Sequence, residues 1–316
     1  MRQYPRFCAF SVPLRVPFRG MVHRAGVLVE GPAGWGEFAP LPGSNDVENR
    51  GWVKSAREAA FDGWPAPVRE WVPVNMTIPA VGADQAWRMV RESAGGESTA
   101  KVKVAEPGQD DRADLDRVEA VRDALGTEGR LRVDANGAWT PEHAVRMIAL
   151  LHRFDLEYVE QPCAGLADMA AVRRQVAVPI AADESIRRVA DPELVRAAGA
   201  ADIAVLKVGP LGGVRAALEV AERCGLQVVV SSALETSIGL AAGVALAAAL
   251  PDIPYACGLG TAALLAGDLT GRPLLPVEGR LEVRRPEVDE RLLERHRAAA
   301  DEAPAAIAAL SEGLRI

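Results

Sequence analysis

The sequence predicts a parallel α/β barrel with a second, smaller domain, and three observations lead to this prediction. Between Lys101 and Gly260, a short apolar run repeatedly ends in a polar residue or a glycine and is followed by a helix-like stretch. From Asp134 onward the run-ending residues are 26, 23, 24 and 24 residues apart, the length of one strand, one crossover helix and two loops. The chain of 316 residues exceeds the roughly 250 residues of one barrel, so we expect a further domain.

The run-ending residues are the candidate site, because all strands of such a barrel end on one rim. They are Lys101, Lys103, Asp134, Glu160, Asp183, Lys207, Ser231, Ser232, Gly258 and Gly260. Residues far apart in the sequence are therefore expected to share one site, in which three carboxylates are flanked by lysines.

The expected domains are 1–72, 73–262 and 263–316. Alternating apolar positions in FCAFSVPL and GVLVEG predict a small antiparallel sheet, and residues 48–61 look helical. The segment WVPVNMTIP, residues 71–79, is predicted to be the first barrel strand. After residue 262 the period is lost, and we expect the C-terminal segment to complete the barrel and to pack on the first domain.

The predicted barrel helices carry local end signals. In DLDRVEAVRDALG the apolar residues recur at helical spacing, and Gly126 stands where a C-terminal cap in the left-handed αL conformation belongs. Thr140 is a suitable N-cap and Pro141 a suitable first-turn residue. The apolar stretch 238–250 is too short to span a bilayer and is predicted to be a buried barrel helix.

The net charge limits the classes of partner, and the cysteine content indicates the cellular compartment. A net charge of -7 and a pI near 5.3 argue against nucleic acid and against an anionic membrane surface, which both need a basic face. We therefore expect a small-molecule substrate. Four scattered cysteines without a CxxC pair and an N-terminus without an apolar signal region favour the cytoplasm. The oligomeric state stays open, with a monomer slightly favoured.

Three carboxylates on one rim predict a metal site. Asp134, Glu160 and Asp183 would repel one another and acquire raised pKa values unless a cation neutralised them. Carboxylate oxygens without a Cys or His cluster favour a hard ion, Mg²⁺ before Mn²⁺. Any one of these acids could instead be a helix cap, but caps explain three consecutive repeats poorly.

The lysines are candidate bases. Lys101 and Lys103 are two residues apart on one strand, so both side chains project to the same side. A neighbouring ammonium and a bound metal would both lower the pKa of Lys103 and make it a base. Lys207 would approach from another part of the rim. The alternatives are solvated edge lysines and, for Lys207, a lysine whose ammonium merely reaches solvent.

Further candidates could contact a substrate, although each also suits an ordinary turn or cap. They are Asn136, Ser231, Ser232, Glu235, Gly258, Gly260 and Arg19, the last in a small-domain loop that could close over the site. Glu184, next to Asp183, is expected to point away from the metal, towards a supporting contact or solvent.

A carboxylate-bound metal facing lysine bases suits the removal of a proton α to a carboxylate. This pairing of a lysine base with Mg²⁺ is the known pattern of the enolase superfamily. The motifs KVK, VDANGAW, EQP, ADES and LKVGPLGG, in this order and spacing, resemble the muconate-lactonizing subgroup of that superfamily. The resemblance implies a modified TIM barrel, (β/α)7β, with an α+β capping domain built from both termini. It also implies that Asp134, Glu160 and Asp183 bind the metal.

Within the subgroup, PFRG and SSALETSIGLAAGVALAAAL resemble the o-succinylbenzoate synthases of menaquinone biosynthesis. This implies syn-dehydration of 2-succinyl-6-hydroxy-2,4-cyclohexadiene-1-carboxylate through an enediolate. Lys103 would transfer the protons, and Lys207 would help to stabilise the enediolate. N-succinylamino acid racemase is the alternative, alone or combined with dehydration, because Lys103 and Lys207 could also supply bases on both faces.

Two further readings are weaker. One is a dipeptide epimerase. The segment ACGLGTAALL lacks the DxD pattern by which related dipeptide epimerases hold a substrate ammonium. The other is a non-catalytic metal-binding barrel. Such a protein would be expected to have lost at least one of the acids and lysines of the site, and all of them are present.

Overall fold

The computed structural model describes residues 5–187, 192–298 and 304–314. Its N-terminal part is a small capping domain, a three-stranded antiparallel sheet followed by a helix and a short strand. These elements are β1 (Phe7–Phe18), β2 (Met21–Gly31), β3 (Gly34–Phe38), α1 (Asp46–Arg57) and β4 (Trp71–Pro73). Helix α1 begins where Asn45 and Glu48 form a capping box, and it continues into a π-helical turn over Glu58–Asp62. The predicted sheet and helix are both present.

Seven parallel strands follow, and their order in the sheet is their order in the chain. They are β5 (Met76–Ile78), β6 (Thr99–Lys103), β7 (Arg130–Asp134), β8 (Leu156–Glu160), β9 (Ile180–Ala182), β10 (Ile203–Leu206) and β11 (Gln227–Val230). Consecutive parallel neighbours joined by helices curl into a barrel wall. This confirms the predicted fold class.

Helices follow these strands, and the longer ones cover the outside of the wall. The helices are α2 (Ala83–Arg91), α3 (Asp111–Leu125), α4 (Pro141–Leu151), α5 (Leu166–Arg173), α6 (Glu184–Arg187), α7 (Glu193–Ala197), α8 (Val208–Leu211), α9 (Val214–Cys224) and α10 (Ser237–Ala249). Thr140 caps α4 through the amide of His143, as predicted. Gly126 does end α3, but with a φ of 77° and a ψ of 178° it does not adopt the predicted left-handed helical conformation. Helix α10 is buried along most of its length. In the described ranges, no helix has the length and apolar character needed to cross a membrane.

A very short eighth segment closes the barrel between β11 and the chain that precedes β5. Cys257 pairs with Val74 and Gly258 pairs with Ser231, both in parallel orientation. Their main-chain hydrogen bonds include those from Cys257 N to Pro73 O, at 2.7 Å, and from Gly258 N to Val230 O, at 2.8 Å. Two residues are thus enough to join the ends of the seven-stranded sheet.

The C-terminal segment corrects two expectations. In the described part of 263–316, the strand β12 (Arg280–Glu282) pairs antiparallel with β4 outside the barrel, so this segment does not complete the barrel. The predicted strand 71–79 is consequently divided between partners: Trp71–Pro73 pairs with β12, Val74 pairs with the closing segment at Cys257, and Met76–Ile78 pairs with β6. The later helices are α11 (Glu290–Arg295) and α12 (Pro304–Leu314). Leu310 and Leu314 of α12 belong to the apolar core of the capping domain.

The barrel interior contains a buried arginine below the rim. Arg132 is fully buried and donates to Glu157 Oε2 at 2.6 Å, Asn75 Oδ1 at 2.9 Å and Ala256 O at 2.7 Å. Its guanidinium lies 4.7 Å from the ring centroid of Tyr158. The buried charge is therefore both paired and hydrogen-bonded, as a low-dielectric interior requires.

We expect Arg132→Ala to lower the free energy of unfolding by about 3–5 kcal/mol, because it leaves the Glu157 carboxylate and two buried acceptors without their donor. Urea denaturation of the wild type and the variant measures this loss. Arg132→Met, which keeps most of the volume, separates the lost packing from the lost charge pairing. A loss below about 1 kcal/mol for Arg132→Ala would show that the pairing contributes little.

Candidate active site

Six buried charged side chains meet at the carboxyl ends of the strands. They are Lys101, Lys103, Asp134, Glu160, Asp183 and Lys207, each at most 6% exposed. The strand register explains the convergence, because Lys103 lies opposite Asp134 and Asp134 lies opposite Glu160 in the parallel pairs. Alternate residues of a strand point to the same side, so Lys101 joins Lys103.

Every one of these lysines contacts a carboxylate. Lys101 Nζ lies 2.9 and 2.8 Å from the two carboxylate oxygens of Glu160 and 3.5 Å from Asp134 Oδ2. Lys103 Nζ donates to the same Asp134 Oδ2 at 2.5 Å. Lys207 Nζ donates to Asp183 Oδ2. The opposite charges are thus paired inside a site that excludes most water.

Burial and the neighbouring charges shift the pKa values of these groups. Burial lowers the pKa of Lys103, and the Lys101 ammonium adds to this effect against the attraction of Asp134. Burial would also lower the pKa of Lys101, but Glu160 and Asp134 outweigh it and raise that pKa. Burial and the charge of Asp134 raise the pKa of Glu160 to about 7. Adjacent lysines on one strand are therefore shifted in opposite directions, and Lys103 is the one that loses its proton more readily.

The donor set fits a hard metal ion, although not in this arrangement of the side chains. Among the described residues, no group of three Asp, Glu, His or Cys side chains could hold a metal ion as it stands. The Lys101 ammonium contacts both Glu160 and Asp134, so a cation already lies between two of the three carboxylates. Buried carboxylate oxygens that gather around a cation are the ligand type that Mg²⁺ and Mn²⁺ prefer.

Asn136 lies beside the proposed base. Its Oδ1 accepts from Lys103 Nζ at 2.9 Å, and its backbone, at a φ of 47°, donates to Asp134 Oδ1 at 2.9 Å. Its Nδ2 donates to Glu184 Oε1 at 3.3 Å. Glu184 is buried and also contacts Arg187 and, at 3.9 Å, Arg19 of the capping domain. The expectation that Glu184 supports the site agrees with this position, whereas a solvated Glu184 does not.

Gln161 organises the turn that carries Asp183. Its Oε1 accepts from the backbone amides of Asp183 and Ser185, at 3.0 and 3.1 Å. Its Nε2 donates to Cys163 O at 2.8 Å and to Ser185 Oγ at 2.7 Å. All hydrogen-bonding positions of this buried amide are in use, so Gln161 fixes the backbone of Asp183.

The turn after β11 and the closing segment form one wall of a cleft. Ser231, Ser232 and Gly258 line it, together with Thr261, whose hydroxyl lies 2.7 Å from that of Ser232. A Cβ atom on Gly258 would lie 2.6 Å from Ser231 Oγ, so a larger residue there would displace the Ser231 hydroxyl.

The capping domain supplies the opposite wall through Phe18, Arg19 and Leu41. The Phe18 ring lies over Lys103, with 5.5 Å between the ring centroid and Nζ. The cleft volume is about 30 Å³, far below the roughly 300–1,000 Å³ of ligand pockets. A substrate therefore requires the lysine pairs or the Phe18 turn to move.

Three of the seven candidate substrate contacts do not line this cleft, among them Asn136, which lies beside Lys103 instead. Glu235 is buried beneath it and accepts from the amide of Ala233 at 2.8 Å. Gly260 lines a separate apolar cavity, and a Cβ atom there would lie 2.6 Å from Asn75 O.

Further residues line the cleft that the sequence pattern does not indicate. They are Phe18, Leu41, Thr77, Ala233, Leu234 and Thr261. Thr77 is the middle residue of β5 and lies opposite Lys101, so the register of the first barrel strand against β6 could have indicated it. Phe18 and Leu41 belong to the capping domain, where the repeat gives no signal.

Comparisons with known proteins support the fold and indicate the family. Residues 83–287 match the family described as enolase C-terminal domain-like, and residues 9–60 match the family described as enolase N-terminal domain-like. The o-succinylbenzoate synthase of Thermobifida fusca (strain YX) is 63% identical over 285 residues, which are 90% of this chain and 89% of the relative.

Two solved structures are similar in fold. The muconate lactonizing enzyme from Pseudomonas fluorescens, complexed with muconolactone, has a TM-score of 0.81 at 22% identity and covers 94% of this chain and 99% of its own. A dipeptide epimerase from Enterococcus faecalis V583, complexed with Mg and the dipeptide L-Leu-L-Tyr, has a TM-score of 0.73 at 25% identity and covers 90% and 97%.

Proposed function

The chain belongs to the o-succinylbenzoate synthases of the enolase superfamily and is therefore a lyase, and from this premise we propose how its own residues carry out the dehydration. The observation that supports the proposal most is the convergence of Lys103 and Lys207 on one cleft, each beside a buried carboxylate. They come from β6 and β10, which three other strands separate. The two lysines can therefore act on a bound substrate from different sides.

We propose that Lys103 performs both proton transfers. Its neutral amine takes the proton α to the ring carboxylate of 2-succinyl-6-hydroxy-2,4-cyclohexadiene-1-carboxylate, which gives an enediolate. The resulting ammonium then protonates the hydroxyl group as the carbon–oxygen bond breaks, so that water leaves and the ring becomes aromatic. One lysine suffices for both steps because the α-proton and the hydroxyl group leave from the same face of the ring in a syn-elimination. The lowered pKa of Lys103 favours the neutral amine at the start.

The other charged residues have supporting roles in this proposal. Lys207 would place its ammonium near the developing negative charge of the enediolate. Lys101, held by Glu160, would keep a positive charge beside Lys103. Asn136 would orient the Lys103 amine through the contact that it already makes. Among the cleft-lining residues, Ser231, Ser232 and Arg19 would contact the substrate.

Enzymes of this superfamily depend on a metal, and we propose Mg²⁺, with Mn²⁺ as a substitute, held by Asp134, Glu160 and Asp183. When bound, the ion would supply positive charge at the substrate carboxylate. The magnesium in the epimerase complex and the carboxylate donor set of this chain support the choice. The lysines that contact these acids would then turn towards the substrate.

N-succinylamino acid racemization is the second candidate, because Lys207 faces the cleft opposite Lys103. We expect efficient conversion of the cyclohexadiene substrate, with slow or absent exchange of the Cα proton of N-succinylamino acids in D₂O. Aromatisation drives dehydration forward, whereas racemization has no such driving force and needs reprotonation from the opposite face. Comparing kcat/KM for dehydration with the exchange rate followed by NMR tests this.

Exchange that outruns dehydration would make racemization the main activity. Comparable rates would identify an enzyme with both activities. Purified protein with both substrates is sufficient for the measurement, and a sample without the protein serves as the control for background exchange.

We further propose that the enzyme acts as a monomer in the cytoplasm. The four cysteines, none of which forms a disulfide, fit a reducing compartment. Size-exclusion chromatography with light scattering measures the oligomeric state.

A further inference from the structure

Two buried charged residues of the capping domain hold the turn between β11 and α10. Arg24, on β2, donates from Nε to the carbonyl of Leu234 at 3.1 Å. Glu37, on β3, accepts from the amide of Thr236 at 3.2 Å, from its hydroxyl at 2.5 Å and from the amide of Gly239 at 3.0 Å. The capping sheet therefore holds this turn at Leu234 and at Thr236, which are only two residues apart.

Arg24 connects both walls of the substrate cleft. Its guanidinium also donates to the carbonyls of Ala39 and Pro40, directly before Leu41 of the capping wall. Leu234, its partner on the other side, belongs to the barrel wall. Arg24 is only 2% exposed, and a buried guanidinium is costly unless the structure uses its donors.

The turn between β11 and α10 has an unfavourable backbone conformation. Leu234 has a φ of 65°, in the left-handed region that a branched side chain seldom adopts. Inside the turn, the amide of Leu234 donates to Ser232 Oγ at 3.3 Å and the amide of Ala233 donates to Glu235 Oε2 at 2.8 Å. Such a conformation persists only where its surroundings enforce it. The hydrogen bond from Arg24 to the carbonyl of Leu234 helps to hold Leu234 in this conformation.

We propose that Arg24 and Glu37 form a clamp through which the capping domain sets the shape of the cleft wall at Ser232–Leu234. Arg24 is then a positioning residue for substrate binding, although it does not touch the reacting atoms. This role rests on the proposed dehydration, because the affinity for the substrate of that reaction is what reports the shape of the cleft wall.

Arg285 provides a matched control. It donates to the backbone carbonyls of Ala33 and Ala59 and stacks on Trp64 at 4.0 Å from the ring centroid. Like Arg24, it ties the capping domain together through carbonyl groups, but none of these partners lines the cleft. Loss of Arg285 should therefore affect stability without changing the shape of the cleft.

The test compares Arg24→Met, Arg24→Lys, Glu37→Gln and Arg285→Met. Calorimetry gives Tm, titration calorimetry gives the Kd of o-succinylbenzoate, and steady-state kinetics gives KM and kcat. For Arg24→Met and Glu37→Gln we expect KM and Kd to rise at least about tenfold, with a smaller change in kcat, because a wall displaced by about 1 Å loses its fit. Arg24→Lys, which keeps the charge and can reach one carbonyl, should recover part of the affinity. Arg285→Met should lower Tm with KM and Kd within about twofold of the wild type.

A lowered Tm with wild-type KM and Kd in both Arg24→Met and Glu37→Gln would overturn the clamp. If Arg24→Met does not fold, Arg24→Lys and Glu37→Gln decide by the same criterion. A wild type that binds o-succinylbenzoate but does not dehydrate the cyclohexadiene would instead count against the proposed function, while the Kd values would still test the clamp.

Discussion

Lys103→Ala is expected to lower kcat by about four orders of magnitude or more while the protein stays folded. General acid–base catalysis by one group contributes roughly 10² to 10⁴ in rate, and Lys103 is proposed to act in two successive proton transfers. The fold should survive, because Asp134 keeps its contact with Lys101 at 3.5 Å. Stopped-flow or steady-state kinetics measures the loss, and circular dichroism and Tm check the fold.

Two further variants separate a base from a charge at this position. Lys103→Arg keeps the positive charge but holds its proton, so it should be nearly as inactive as Lys103→Ala. Lys101→Ala should cost less in kcat, with a loss of stability because Glu160 loses both of its contacts with the ammonium. Near-normal turnover by Lys103→Ala would transfer the role of the base to Lys207.

Removal of the divalent ion is expected to abolish dehydration, with a loss in kcat of at least about three orders of magnitude. Chelation followed by addition of Mg²⁺ or Mn²⁺ should restore the rate. Asp134→Asn, Glu160→Gln and Asp183→Asn should each weaken Mg²⁺ binding in titration calorimetry, since each removes one anionic ligand.

Asp202→Asn is the matched control for the acidic residues. Asp202 pairs with Arg173 and accepts from the amide of Ile180, where β9 begins, so it lies at the opposite end of the barrel. Its replacement should leave the Mg²⁺ affinity unchanged. Full activity in a metal-free sample, confirmed by elemental analysis, would contradict the metal-dependent mechanism.

Much of the barrel could be predicted from the sequence, because its repeat reflects local physics. Apolar runs of four or five residues, such as IAVL before Lys207, must be strands buried on both faces, and the residue that ends each run must lie at the rim. Asp134, Glu160 and Asp183 were found in this way, since their position depends only on the length of each strand–helix unit.

Contacts between distant segments could not be predicted in the same way. The division of 71–79 depends on β12, which lies some 200 residues later and has no special pattern of its own. Phe18 and Leu41 reach the cleft because of how the capping domain docks, which the alternation within its strands does not encode. Gln161 sits within the EQP motif, but its four hydrogen bonds appear only when β8 and β9 are side by side.

The two-residue closure of the barrel has a consequence for local opening and for hydrogen exchange. The amides of Cys257, Gly258 and Ser232 hold the seam, and releasing it breaks far fewer bonds than separating two of the longer strands. The opening free energy should therefore be lower along this seam than between β6 and β7, and the seam amides should exchange with solvent sooner than those of β6 and β7. Because Ser232 and Gly258 also line the cleft, a bound ligand bridging them should slow that exchange, so occupancy of the cleft can be followed from the backbone of the barrel wall.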